Sequence, residues 1–270
     1  MKLAIQLYSV RDEMEKDLFG TLKRVKEMGY DGCEFAGLYG KDAEEINKAC
    51  FELGLVPISA HVAYQDIIPD IKKAVDTYKT LGVKYMVIPY LPENLRYGTE
   101  KYPQLLEDMK KIGEACRENG ITLLYHNHDF EFEKTENGEY VLDALYNEIS
   151  QDLLQTELDT CWVNVGGENP AEYLKKYSGR APVLHLKDFF GEKSDDMYEL
   201  IGIDKKAPTR PSGFEFRPVG AGLQNFPAIL EAAKEAGTEW VVVEQDKATM
   251  GLTPMESIAK SIEYLKTINN

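Results

Sequence analysis

The feature that most constrains this chain is an alternation sustained along its whole length: a short, nearly continuous apolar run, then apolar residues at helical spacing, then a turn that often carries glycine. Residues 3–8 read as a first strand, and Leu18, Leu22, Val25 and Met28 follow at helical spacing up to Gly29. Further strand-like runs lie at 32–35, 56–62, 83–89, 121–124, 153–158, 183–186 and 240–243. Helical patterns lie between and after them: Ile46, Ala49, Cys50 and Leu53 behind an Asp42 cap, then 67–81, 100–118, 141–149, 171–177, 226–236 and 258–268. Pro170 suits the first turn of the helix at 171–177.

Apolar strands that alternate with helices argue for parallel strands covered on both faces. Eight such units in 270 residues predict an α/β fold of the (β/α)8 TIM barrel type, one domain spanning 1–270. An open doubly wound sheet is the alternative, but Tyr8-Ser9-Val10-Arg11-Asp12 after the first strand is not the G-x-G-x-x-G loop such a sheet uses for dinucleotides. Residues 189–222 break the pattern with polar, Gly- and Pro-bearing sequence. An irregular stretch of that length is expected as a cover over the active-site face.

Charge narrows the partners. Lys and Arg number 31 against 46 Asp and Glu, a net charge of -15, so the long-range field opposes nucleic acid and anionic membranes. A small molecule is the expected partner, and a homo-oligomer is compatible with the sequence. Cys33, Cys50, Cys116 and Cys161 form no C-x-x-C pair, which fits reduced thiols in a cytoplasmic protein better than a zinc cluster or redox motif. No apolar run approaches the ~18 residues of a membrane span, and the amino terminus lacks the apolar core of a signal peptide.

In a barrel of this kind the site forms at the carboxyl ends of the strands. Those ends bring Gln6 and Tyr8, Glu34, His61, then His126, His128 and Glu131, then Asp159 and Trp162, then His185, Lys187 and Asp188, and finally Glu244 and Asp246. All four histidines lie at predicted strand ends, which surface decoration would not predict. His126 and His128 are two apart and so face one side of an extended chain. Asp159 could merely cap a turn and His185 could be a satisfied core histidine. Glu244, however, ends the run Val241-Val242-Val243, where a charge without an ion or partner is costly. An imidazole and carboxylate set suits a divalent ion; Mn²⁺ is the ion expected, with Zn²⁺, Co²⁺ and Mg²⁺ as alternatives. Such an ion clamps vicinal oxygens and stabilises an enediolate beside a carbonyl, while flanking carboxylates or histidines move the proton.

Leu158-Asp159-Thr160-Cys161-Trp162, His185-Leu186-Lys187-Asp188, Val242-Val243-Glu244-Gln245-Asp246 and Gln6-Leu7-Tyr8-Ser9-Val10-Arg11 resemble the xylose-isomerase-like barrel superfamily. Within it the chain most resembles the broad sugar phosphate isomerase/epimerase group, over essentially its whole length. The resemblance implies a metal-dependent isomerase or epimerase of a sugar or sugar phosphate, working by proton transfer through an enediolate. Ketose 3-epimerases of that superfamily hold their metal with a Glu on strand five, an Asp on strand six, a His on strand seven and a Glu on strand eight. The last three map onto Asp159, His185 and Glu244. The strand-five position falls on His126, a departure, with Glu131 as a replacement that could swing in. A His there resembles instead the keto-inositol dehydratases and the enzymes that cleave or hydrate 3-keto-glycosides, so a lyase is the alternative. The implied metal ligands are therefore His126, Asp159, His185 and Glu244. Glu131, Glu244, His128 and Lys187 are the candidate catalytic groups, and Gln6, Tyr8, Glu34, His61 and Trp162 the candidate substrate contacts. Related barrels cleave DNA at apurinic sites, but the net charge of -15 speaks against that activity here. A sugar-binding barrel without catalysis is the remaining reading.

Overall fold

The computed structural model describes residues 1–193, Met197 and 213–269. Its strands are β1 (Lys2–Gln6), β2 (Gly32–Ala36), β3 (Val56–His61), β4 (Tyr85–Ile88), β5 (Thr122–His126), β6 (Gln155–Asp159), β7 (Val183–Leu186), β8 (Asp188–Phe190), β9 (Glu215–Arg217) and β10 (Trp240–Val243). Eight of them close a barrel in the order β1, β10, β7, β6, β5, β4, β3, β2. All pairings are parallel, and closure sets Lys2 opposite Trp240 and Ile5 opposite Val243. This is the (β/α)8 barrel that the alternation predicts.

Side chains alternate across each strand, so every second residue points into the barrel. Ala4, Ile58, Tyr85, Val87, Leu124, Val183, Trp240 and Val242 form one buried apolar cluster. Two residues further along their strands stand Gln6 after Ala4, His126 after Leu124, His185 after Val183 and Glu244 after Val242. The same period that fills the barrel with apolar side chains thus delivers a polar layer at its carboxyl end. Helices pack the outer face through a larger cluster that includes Leu22, Val25, Ile46, Met109, Ile112 and Ile262.

Local chemistry sets the element boundaries. The Gln6 side chain accepts from the Tyr8 backbone N–H and starts a turn over Leu7–Val10, so β1 ends sooner than the apolar pattern suggests. The helix expected over 67–81 is two pieces, Tyr64–Ile67 and Ile71–Leu81, with Asp70 capping the second just after Pro69. Helices Leu18–Met28 and Ile71–Leu81 stop on glycines with φ of 99° and 86°, a conformation a Cβ disfavours.

Within 189–222, β8 and β9 pair antiparallel, with Phe189 opposite Phe216. Phe189, Phe214 and Phe216 pack with Cys161, Trp162 and Met197 in an apolar cluster of their own. The rest of the expected cover, 194–196 and 198–212, lies outside the described residues. Asp188 closes this region by accepting backbone N–H groups of Phe189, Gly220, Gly222 and Gln224 at 2.8–3.1 Å. Cys33, Cys50, Cys116 and Cys161 are buried and free, and no helix among the described residues is long and apolar enough to cross a membrane.

Candidate metal centre and its cavity

Asp159 ends β6 and caps the helix Thr160–Val165: its Oδ1 accepts from Cys161 N at 2.8 Å and Trp162 N at 3.0 Å. That leaves Oδ2 to face His126 Nε2, 3.3 Å away. Asn127 Oδ1 accepts the Asp159 N–H at 2.9 Å and ties the end of β5 to β6. His185 on β7 sets Nδ1 3.0 Å from Glu244 Oε2, and the same oxygen lies 3.7 Å from His126 Nε2. His126, Asp159, His185 and Glu244, all buried, each offer an atom such that the four lie within 4.8 Å of one another.

Both ring nitrogens of His126 and Oδ2 of Asp159 are buried with no well-formed hydrogen bond among the described residues, Oδ2 having only the looser contacts to His126 Nε2 at 3.3 Å and Lys187 Nζ at 3.5 Å. Polar atoms left so are costly, and two imidazoles with two carboxylates match the donor preferences of divalent transition metals. The residues present therefore fit a divalent ion.

Lys187 supplies the local positive charge. Its Nζ lies 2.8 Å from Glu244 Oε2, 2.9 Å from Asp246 Oδ2 and 3.5 Å from Asp159 Oδ2. Burial works against its charge, yet Asp246, Glu244 and Asp159 outweigh burial and hold the ammonium well above its ordinary pKa. Burial would raise the Glu244 carboxyl, but Lys187 and His185 keep it well below the usual range, and Asp159 is lowered against the same opposing burial by Lys187 and His126.

A cavity of about 410 Å³ opens beside these groups, lined by Tyr8, His61, Tyr90, His126, His128 and Glu244 among others. That size suits a small ligand. Burial, then His126 and Lys187, hold the His128 imidazole well below its usual pKa, so it is neutral. For His61 burial pulls down, but Glu34 and Glu157 win and raise it to about 10. The cavity wall thus presents one neutral and one charged imidazole.

His126, His128, Asp159, His185, Lys187 and Glu244 come together, with Tyr8 and His61 on the same cavity. Others do not. Gln6 and Glu34, expected as substrate contacts, are fully buried and off the cavity wall, with Gln6 Nε2 donating to Glu34 Oε1 at 2.7 Å. Trp162 is fully buried behind the wall, its ring 5.3 Å from the Lys187 ammonium and 5.3 Å from the His128 ring. Glu131 departs furthest. The turn Phe130–Phe132 folds it back so that it accepts from His128 N at 2.7 Å and from the Tyr125 hydroxyl. It faces a separate cavity of about 90 Å³ beside Arg96, Tyr102 and Phe130, where burial raises its carboxyl to about 7. It does not join the metal cluster.

Two neighbours of the site escape a reading of strand ends. Tyr90 lines the cavity from beyond β4. Glu157 is fully buried two residues before Asp159, with its Oε2 2.7 Å from His61 Nε2. A carboxylate two before Asp159, on the same face of the same strand, is the available signal.

A closed parallel barrel with a His and carboxylate donor set at the carboxyl ends of its strands defines a class of site as well as a fold. The chain belongs to the xylose isomerase-like TIM barrel family, whose model matches residues 22–268. It is similar to inosose dehydratase of Clostridium botulinum, 25% identical over 265 residues covering 88% of this chain and 85% of the relative. Inosose dehydratase of Clostridium beijerinckii is 24% identical over 264 residues, with the same coverage of 88% and 85%. Among solved structures, a sugar phosphate isomerase/epimerase from Parabacteroides distasonis superposes with a TM-score of 0.77 at 27% identity, covering 98% of this chain and 93% of that one. The IolI protein, solved with a zinc atom, shares the fold at a TM-score of 0.72 and 19% identity, covering 100% of this chain and 98% of that one.

Proposed function

We propose that this chain is a divalent-metal-dependent dehydratase of a keto-inositol or keto-sugar, which begins by removing the proton next to the carbonyl. The observation that carries this reading is the separation of Glu131 from the cluster: the strand-five member beside Asp159, His185 and Glu244 is His126, not a carboxylate. Reversible epimerisation uses two proton-moving groups on opposite faces of the substrate, and the second glutamate for that task is turned into another cavity. Elimination asks for one base and one acid.

His126, Asp159, His185 and Glu244 are the residues that would hold the ion, with Mn²⁺ favoured by the two carboxylates. When bound, the ion supplies positive charge to the enediolate oxygens. The neutral imidazole of His128 is suited to take the proton from the carbon next to the carbonyl. As that C–H bond breaks, its electron pair forms a C=C bond and the C–O bond to the β-hydroxyl breaks. The charged His61, on the same cavity, is suited to give that hydroxyl a proton so that it leaves as water. The Lys187 ammonium orients the carboxylates around it and favours negative charge on the carbonyl oxygen. The inosose dehydratases of Clostridium support the keto-inositol substrate, and the buried free thiols support a cytoplasmic location.

A second reading, a sugar or sugar phosphate isomerase/epimerase, is favoured by the likeness to the Parabacteroides structure and shares the first proton abstraction. Incubation of the Mn²⁺-loaded protein with inosose and with 3-keto-glucoside separates the two. The dehydratase reading expects a product lighter by one water and absorbing as a conjugated enone. A clean epimer with no loss of water overturns it in favour of the second.

A further inference from the structure

His185 is common to two groups, the buried His126/Asp159/His185/Glu244 and Glu34/His61/Glu157/His185, in which His61 alone is partly exposed. Its Nδ1 looks to Glu244 Oε2 at 3.0 Å, while its Nε2 lies 2.8 Å from Glu34 Oε1 and 3.2 Å from Glu157 Oε2. His61 addresses the same two carboxylates, with Nε2 2.7 Å from Glu157 Oε2 and 3.1 Å from Glu34 Oε1. The two rings stack with centroids 5.4 Å apart and 10° between their planes. Glu34 is itself pinned, by Gln6 Nε2 at 2.7 Å and by the Ser59 hydroxyl at 2.5 Å.

The contacts of 2.7 and 2.8 Å are those of hydrogen-bonded nitrogens and oxygens. Donors around one ion with bonds of ~2.1 Å stand ~3.4 Å apart in a tetrahedral shell and ~3.0 Å apart at neighbouring corners of an octahedral one, so the pairs at 2.7 and 2.8 Å are drawn together by hydrogens. We propose that Glu34 and Glu157 are positioning residues that act as one unit: together they accept the Nε2–H of His185, leave its Nδ1 bare towards Glu244 and the ion, and lock His61 on the cavity wall to the same support. The inference rests on the reading of His126, Asp159, His185 and Glu244 as metal ligands. A carboxylate behind a ligating imidazole fixes its tautomer and orientation and raises its basicity, typically ~10–100-fold in metal affinity.

The test is a Co²⁺ titration of the full chain, followed by its visible absorption and by competition with a chelator, on wild type, Glu34→Gln, Glu157→Gln, the double variant and Ser59→Ala. The wild type is expected to take up one equivalent. Each Gln variant should weaken Co²⁺ by ~10–100-fold and alter the band shape, and the double variant should lose less than the sum of the singles. Thermal unfolding of the same samples separates a misaligned ligand from a lost fold. If both Gln variants fail to fold, Ser59→Ala, which removes one donor to Glu34, must still weaken Co²⁺ by ~2-fold or more. Folded Gln variants that bind Co²⁺ as the wild type does overturn the proposal while leaving the metal reading intact. So does a second wild-type equivalent that Glu157→Gln abolishes, since the quartet would then be a metal site. A wild type that binds no Co²⁺ contradicts the metal reading, and the inference with it.

Discussion

Glu157 and Asp159 lie two residues apart on β6, both fully buried, yet their carboxylates join different groups: Asp159 Oδ2 faces His126 and Lys187, while Glu157 Oε2 meets His61 and His185. The strand period points both side chains into the barrel, and the rise between them stacks two polar layers over the apolar filling. The upper layer carries the proposed metal ligands, and the lower one the carboxylates proposed to hold His185 in place.

Asp159 does two jobs with two oxygens, and a single substitution separates them. Asp159→Asn keeps a carbonyl oxygen to accept from Cys161 and Trp162 N–H, so stability should change by about 1 kcal/mol or less. Divalent affinity should nevertheless fall by ~100-fold or more, because an amide replaces the anionic ligand. Asp159→Ala should lose the cap as well, adding about 1 kcal/mol of destabilisation. Urea denaturation and equilibrium dialysis with Mn²⁺ read the two effects apart.

Lys187 is 2% exposed and ion-paired with Asp159, Glu244 and Asp246. Lys187→Met removes the cation and leaves three buried carboxylates with less compensation, which should cost about 3–5 kcal/mol of stability in the presence of a chelator. Added Mn²⁺ supplies positive charge to the same carboxylates and should recover a good part of that loss. Denaturation midpoints measured with chelator and with Mn²⁺ check both halves of the expectation.

Glu131 predicts a pH dependence. Its folded pKa of about 7 stands above the ordinary 4.5, so between those values the folded chain holds a proton that the unfolded chain releases. The stability this gives is fully present below the unfolded pKa and is lost as pH rises through about 7. The change is on the order of 3 kcal/mol. Wild type should therefore lose stability relative to Glu131→Gln between pH ~5 and ~8, since the amide does not titrate. A constant difference between the two proteins across that range would contradict the raised pKa.

Gly113 tests the packing of the barrel's outer layer. A Cβ there would meet the Leu153 carbonyl oxygen at 2.3 Å, and that atom is backbone with little room to yield. Alanine favours the helix Tyr102–Glu118 by about 1 kcal/mol, but forcing the helix away from Leu153 should cost about 1–3 kcal/mol. Gly113→Ala is expected to lower the midpoint of thermal unfolding despite its better helix propensity.

Much of this architecture could be read from the chain because its strands are short and apolar on both faces. Residues 183–186 and 240–243 form β7 and β10 where the apolar runs put them, and the carboxyl ends of β5, β6, β7 and β10 converge as any closed barrel requires. The positions of Gln6, Glu34 and Trp162 were harder to read. Whether a residue at a strand end lines the cavity or lies beneath it depends on stagger between strands, and no single strand carries that information. Glu131 was illegible for another reason: a three-residue turn at Phe130–Phe132, not a strand, decides which cavity receives its carboxylate. The pairing of β8 with β9 was hidden because Gly and Pro in 189–222 mask the short pairing of Phe189 with Phe216.

Four side chains, from β5, β6, β7 and the end of β10, are proposed to hold one divalent ion at the barrel mouth. Anomalous diffraction from crystals soaked in Mn²⁺ tests this proposal most directly. A single strong peak is expected within bonding distance, roughly 2.2 Å, of His126, Asp159, His185 and Glu244, absent from Asp159→Asn crystals. No peak at that position, or a peak between Glu34 and Glu157 instead, would contradict it.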